Sequence, residues 1–385
     1  MFCYYIYLAH CVHYYLIHCI FIAMGKKFLY ILSGFILFIP PLVSPAGKQD
    51  PINFETPSRT RDEKFSYTHL TRENGLPSNR TRCVIQDLQG YVWIGTDNGL
   101  VRFDGRNTTV FRPERNDPSS VIDICINALF ETRDSLLLIG TFDGLSLYDP
   151  VTKKFTGYSI YQKGNARFPL KNITCFYEDR DGSIWIGTEN GLVQMNWHPV
   201  VFNCFQLSKS EDKISREYHF NFVTCIIQDP RDDAKLLIAT MGGLLQFDKR
   251  RNVISHDYKK ANDPYSPVDL SLDSGRFLWS CGWGSGLNCL DLETGKWQEY
   301  PYDQQKPISI LGITKKSRNE LWLATIDHGL GIFNQSDHSF KFHQKIAGDE
   351  KSLLTNSVIK IKYLNNKKDL WILSDEGKNH LQNKL

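Results

Sequence analysis

Few residues in this chain of 385 combine a reactive or adhesive type with a setting that would free them for chemistry. Trp283 is one, because it falls in the glycine-rich turn Gly282-Trp283-Gly284-Ser285 and off the pattern of the neighbouring strand. An indole in such a turn suits stacking on a sugar ring or other flat ligand, covering C–H surface while polar neighbours take the hydroxyls. Asp327-His328 lies in the equivalent segment about 45 residues later and supplies a carboxylate and an imidazole for the same task. Phe142 occupies that place in another copy. Trp283, Asp327, His328 and Phe142 are therefore the candidate ligand-binding residues. The competing assignment makes Trp283 a local core residue and Asp327-His328 an ordinary polar turn. Arg82 and Tyr177 sit on strands whose facing the sequence leaves open.

Catalytic constellations are missing from the text of the chain. It has no GxSxG elbow, HExxH pair, P-loop or Asp-rich calcium loop, and no CxxC pair for zinc or thiol redox chemistry. The aspartates that recur, Asp87, Asp179 and Asp229, stand singly before a turn, the place for capping hydrogen bonds and not for paired acid–base work. The sequence predicts no catalytic residue, no metal ligand and no cofactor.

The elements that must carry the candidate residues come from a repeat. Gly90-Tyr91-Val92-Trp93-Ile94-Gly95-Thr96 returns as Gly182-Ser183-Ile184-Trp185-Ile186-Gly187-Thr188, and in worn form elsewhere. Taking the Trp or its Leu replacement as the mark, the positions are 93, 138, 185, 237, 279, 322 and 371, a mean step near 46. Each unit reads as four strands: an alternating run, the W-I-G-T phrase, a G-L-x-x-F/Y-D phrase and a final aromatic segment. Asp97-Asn98-Gly99 and its counterparts provide the hairpin turn between the second and third. Seven such units predict an all-β, seven-bladed β-propeller with four-stranded antiparallel blades. The last unit lacks a fourth strand, and the alternating segment near residues 64–70 is expected to supply it and close the ring. The recurring tryptophans then pack between blades and form no shared cage. Gly95, Gly140 and Gly187 allow close backbone approach. Cys83, Ala128, Cys175 and Cys225 share one position on the innermost strand, where only small residues are expected to fit and the thiols stay free.

The ends and the composition set the remaining bounds. Residues 1–47 form an apolar leader, read either as a signal peptide starting at Met24, with Lys26-Lys27 and an apolar stretch, or as a membrane anchor. Residues 48–63 are a linker and 64–385 the propeller. A formal net charge of +3, with 23% charged residues, excludes a strongly basic nucleic-acid surface.

The phrase N-x-V-x-x-I-x-x-D-x-x-G-x-[LIV]-W-I-G-T-x-x-G-L, nearly intact at Asn79–Asp104 and Asn172–Gly191, resembles the two-component regulator propeller repeat of the periplasmic sensor region in Bacteroidetes hybrid two-component histidine kinases. Asn116-Asp117-Pro118 and Asn262-Asp263-Pro264 resemble that family's linkers. The resemblance implies an exported ligand-sensing propeller that recognises a glycan fragment or similar polar solute, without its own kinase and truncated after one propeller. It is periplasmic or secreted, with anchoring to the inner membrane by the N-terminus as a further expectation. The alternatives are a protein–protein interaction or self-associating propeller and, more remotely, a secreted carbohydrate-active enzyme.

Overall fold

The computed structural model describes residues 65–385 apart from 164–165, 198, 208–220, 259–265, 274, 304–306, 365–368, 376 and 383–385. The expected leader and linker, residues 1–63, lie outside the described residues. Phe65–Leu385 forms one compact unit.

Blade 1 has strands Thr81–Gln86, Val92–Thr96, Gly99–Phe103 and Thr108–Phe111, hydrogen-bonded in that order. Five more sheets of four consecutive antiparallel strands follow, with inner strands Ile126–Glu131, Cys175–Glu178, Val223–Gln228, Pro267–Asp273 and Ile310–Lys315. The remaining four-stranded sheet is composite. Val358–Leu364, Asp369–Ser374 and Gly377–Gln382 are completed by Tyr67–Leu70, whose Tyr67 lies opposite Leu381 and Leu70 opposite Lys378. Inner strands touch in cyclic order, the last against the first, so the sheets surround a central channel.

The expectation of a seven-bladed ring needs correction on the count of complete blades. Six blades are contiguous four-stranded units, and the further sheet exists only by combining both ends of the propeller. Each sheet is a separate ladder, and neighbours meet through side chains and isolated hydrogen bonds. The completing strand is Tyr67–Leu70, shorter than the expected 64–70. A small hairpin, Ile160–Lys163 with Ala166–Pro169, stands outside the blades.

Membrane anchoring, expected both as a partner assignment and as a localisation, finds no support in the structure. Among the described residues no helix is long and apolar enough to cross a membrane, and the apolar runs proposed for that role fall outside them.

Packing explains the repeat phrase. Trp93, 1% exposed, stacks on Phe111 at 5.6 Å and meets Tyr148 of the next blade at 5.1 Å between ring centres. Trp185 does the same with Phe205 and Phe247. Leu138 and Leu237 fill the place in two blades with complete burial, so apolar bulk is what the junction needs. The single aspartate of the phrase anchors the indole: Trp93 Nε1 donates to Asp87 Oδ2 at 2.7 Å, while Asp87 Oδ1 accepts the Tyr91 amide at 2.8 Å. A Cβ on Gly95 would overlap the Cys83 thiol and Ile126 of the next blade, which is why that strand position is nearly side-chain-free.

The seven described cysteines are all free thiols. The rule of small residues on the inner strand fails in two blades, at Asp269 and Lys360, and holds at Gly312. Register places Cys83, Ala128, Cys175 and Cys225 opposite the W-I-G-T glycine or alanine, and it places Asp269, Gly312 and Lys360 in the corresponding positions.

Candidate functional site

One end of the propeller carries the turns between the second and third strands, and their construction follows from the W-I-G-T-x-x-G spelling. The threonine hydroxyl donates to the carbonyl of the glycine that ends the turn: Thr96 to Gly99 at 2.8 Å, Thr188 to Gly191 at 2.9 Å, Thr240 to Gly243 at 2.9 Å. Backbone bonds then fix the turn from two sides. Its first residue donates to the loop entering its own blade, as Phe142 N does to Cys125 O and Met241 N to Phe222 O. Its glycine donates to the loop entering the next blade, as Gly99 N does to Ile124 O at 2.7 Å and Gly329 N to Asn356 O at 2.7 Å. The rim is thus rigid backbone, and what varies is the chemistry at the turn tips.

Blade 6 keeps the threonine bond, Thr325 to Gly329 at 2.6 Å, with a turn one residue longer, and blade 5 departs from the plan. Gly282 replaces the threonine, and Ser266 and Ser285 fill the space where a Cβ would sit. The turn is one residue longer and uses Gly284 and Gly286 in left-handed backbone, at φ +58° and +64°. Trp283 is half-buried at its tip. In the next blade Asp327 is exposed and adopts φ +69°, a left-handed conformation uncommon outside glycine, asparagine and aspartate. His328 Nδ1 lies 3.1 Å from the Ile326 carbonyl, and its ring packs against Tyr302 and Phe342 at 5.7 and 5.4 Å.

Ser309 joins these two turns. Its Oγ accepts the Gly284 amide at 3.0 Å and its carbonyl accepts the Ile326 amide at 3.0 Å. The structure therefore brings the Trp283 turn and the Asp327-His328 turn to either side of one serine. Phe142 is not part of this group. It belongs to blade 2, half-buried, bound through its backbone to Cys125 and Asn172.

Two features of this end were not read from the sequence. Tyr302, 49% exposed, covers His328 and Phe342 and adds an aromatic surface next to the blade 6 turn. Its only signal was the spelling Tyr300-Pro301-Tyr302 beyond a strand end. Across blades 1 to 3 runs a polar relay: Arg82 Nη1 donates to Asn127 Oδ1 at 3.0 Å, Asn127 Nδ2 to Asn172 Oδ1 at 3.1 Å, and Asn172 Nδ2 to Glu189 Oε2 at 3.2 Å. Arg82 thus reaches the neighbouring blade, while Tyr177 turns its hydroxyl to Gln228 at 3.2 Å.

At the other end, a cleft of 620 Å³ lies around the Asp229–Lys235 turn and the edge of blade 5. Its charges are already committed. Arg231 pairs with Asp229 at 2.6 Å and with the Tyr258 hydroxyl at 2.7 Å, and Gln246 donates to Asp229 at 2.7 Å. Burial alone would raise the Asp229 carboxyl, but these donors hold it below the usual carboxylate value. Among the described residues no group of His, Cys, Asp and Glu is placed to hold a metal ion.

An all-β ring of such four-stranded sheets defines a β-propeller. In comparison with known proteins, the two-component regulator propeller family model matches residues 75–98 and 167–190. The extracellular domain of BT3049 from B. thetaiotaomicron, assigned to a hybrid two-component system, is similar at 21% identity and TM-score 0.69 over 83% of this chain and 42% of that one. The extracellular domain of BT4673 from the same organism, assigned to a one-component system, is similar at 18% identity and TM-score 0.64 over 82% and 39%. Virginiamycin B lyase from Staphylococcus aureus shares 12% identity at TM-score 0.60, over 83% of this chain and 98% of that one. The chain spans about two fifths of the first two structures. No curated protein matches the sequence. The propeller resembles the extracellular sensor domains of Bacteroidetes two-component and one-component systems.

Proposed function

We propose that this propeller is the ligand-sensing part of an exported sensor, periplasmic or secreted, and that it recognises a glycan fragment or similar polar solute at the rim of blades 5 and 6. The observation that carries this reading is the junction at Ser309. There an indole in a non-standard glycine-rich turn and the Asp327-His328 turn are fixed to one residue, with the half-exposed Tyr302 ring beside His328. Aromatic faces and hydrogen-bonding groups on rigid backbone are what sugar recognition needs, since little ordering cost remains for the protein on binding. Phe142 stays outside this proposal because its blade is elsewhere on the ring. The likeness to the two B. thetaiotaomicron extracellular domains supports the sensing role, and the lyase shares the fold alone.

The test is thermal unfolding of the full chain against a panel of neutral and acidic oligosaccharides, with Trp283→Ala and Asp327→Asn alongside. A ligand at about 100 times its Kd stabilises by roughly 2.7 kcal/mol, which appears as a rise of several degrees in Tm. The reading requires a rise that Trp283→Ala abolishes. No rise with any sugar, or one that survives that substitution, overturns it.

A further inference from the structure

The inner wall of the channel carries charges that the rim does not use. Lys360 and Lys362 alternate on one face of Val358–Leu364, opposite Leu373 and Trp371. Their blade is the composite one, where the last inner strand meets the first. Cys83 of blade 1 feels three cations together, Lys360, Lys362 and Arg82. Burial pushes that thiol up to about 11, so it stays neutral near pH 7 and supplies no counter-charge.

The acid on this wall is Asp269, in the same register position as Lys360 two blades away, with Gly312 between them. Its oxygens are engaged by the Leu270 amide at 3.0 Å and the Ile313 amide of the next blade at 3.1 Å. It acts on the lysines only through longer-range attraction. Among the described residues neither lysine has a hydrogen bond or ion pair, and Arg82 Nη2 is buried without a partner. Lys362 remains open to water, yet surrounding protein and then Lys360 push its ammonium down to about 8. Two ammonium groups held side by side on one face of a crowded inner strand form half of an ion-binding arrangement.

We infer that the channel at the junction of the composite blade and blade 1 binds a small oxyanion, a carboxylate or sulfate, between Lys360 and Lys362. The ligand is a free ion or the acidic group of a single sugar, because both present the same oxygens. This site is independent of the rim. Bound there, an anion would cancel the repulsion between the lysines and strengthen the junction that unites the two ends of the propeller.

The probes are sodium sulfate, sodium acetate and sodium glucuronate at millimolar concentration, with chloride holding ionic strength constant, against the full chain by calorimetric titration and thermal unfolding. Saturable binding is expected, weakened at least tenfold in Lys362→Gln and lost in Lys360→Met/Lys362→Met, while Trp283→Ala leaves it unchanged. The double variant is also expected to unfold at higher temperature than the parent without anion, since apolar replacements remove two unpaired charges. Binding of sulfate and acetate identifies a free ion, and binding of glucuronate alone identifies the sugar acid. No saturable binding of any probe, or binding that survives in the double variant, overturns the inference.

Discussion

Replacing Tyr67 tests how far the composite blade depends on the strand from the other end of the propeller. Tyr67 is 5% exposed and packs with Trp322, Leu330, Val358 and Ile372, so it secures Tyr67–Leu70 to both its own blade and blade 6. A buried aromatic side chain removes about 150–250 Å² from water, and at about 25 cal/mol per Å² that is about 4–6 kcal/mol as an upper figure. Residual burial in the unfolded chain trims it, so Tyr67→Ala should cost about 3–5 kcal/mol. Tyr67→Phe should behave in the opposite way. The phenol oxygen is buried with no hydrogen-bond partner, and burial raises its pKa far above the usual tyrosine value. Deleting an unsatisfied hydroxyl is therefore expected to be neutral or stabilising by about 1 kcal/mol. Urea unfolding of the full chain followed by tryptophan fluorescence measures both. A loss below about 1 kcal/mol in Tyr67→Ala would show that this strand does not hold the blade. A loss above about 1 kcal/mol in Tyr67→Phe would show that the hydroxyl has a partner.

Two further outcomes follow from the same packing. Asp87→Ala strands the buried Trp93 N–H and should cost about 3 kcal/mol in chemical unfolding. Asp273→Ala should cost well under half of that, because Trp279 Nε1 already lacks a partner and Asp273 pairs instead with Lys315; equal losses would refute the aspartate–indole account. The second concerns pH. The folded pKa of Lys362, about 8, lies below its ordinary 10.5, so the charged form opposes folding below pH 8 and the penalty fades as pH rises toward 10.5. The neighbours that set it are Lys360 on its own strand, with Cys83 and Asp269 facing from other blades. Water reaches the ammonium, so solvent screening reduces the effect to about 1 kcal/mol. Lys362→Met should accordingly be more stable than the parent at pH 7 by about that amount and nearly equal at pH 10. A gap that widens with pH contradicts the sign.

What the sequence made legible was whatever the repeat phrase repeats. Trp93, Gly95, Thr96 and Gly99 each have one job, and that job recurs, so spacing alone exposed the strands, the inter-blade indoles and the rim turns. Where the phrase wears away, its information goes too. Asp269 and Lys360 replace a small residue in blades whose spelling has drifted, and only register reveals that they share a ring position with Cys83. The relay through Asn127 and Asn172 spans residues 45 apart, and side-chain direction decides it. Trp283 and Asp327-His328 were found as chemistry out of place in a turn, but their connection through Ser309 depends on a loop with no pattern of its own. Phe142 holds the equivalent repeat position in blade 2, but equivalent positions in a ring point to different sectors.

The rim site is tested most directly by amide hydrogen exchange on the full chain, with and without the oligosaccharide that gives the largest rise in Tm. Slower exchange is predicted at Gly284, Gly286 and Ile326, the amides held by the loop that contains Ser309, with little change around the Asp229–Lys235 turn. Protection centred on that turn, or on blade 2 near Phe142, with none at residues 284–286 and 326, would contradict the assignment of ligand recognition to blades 5 and 6.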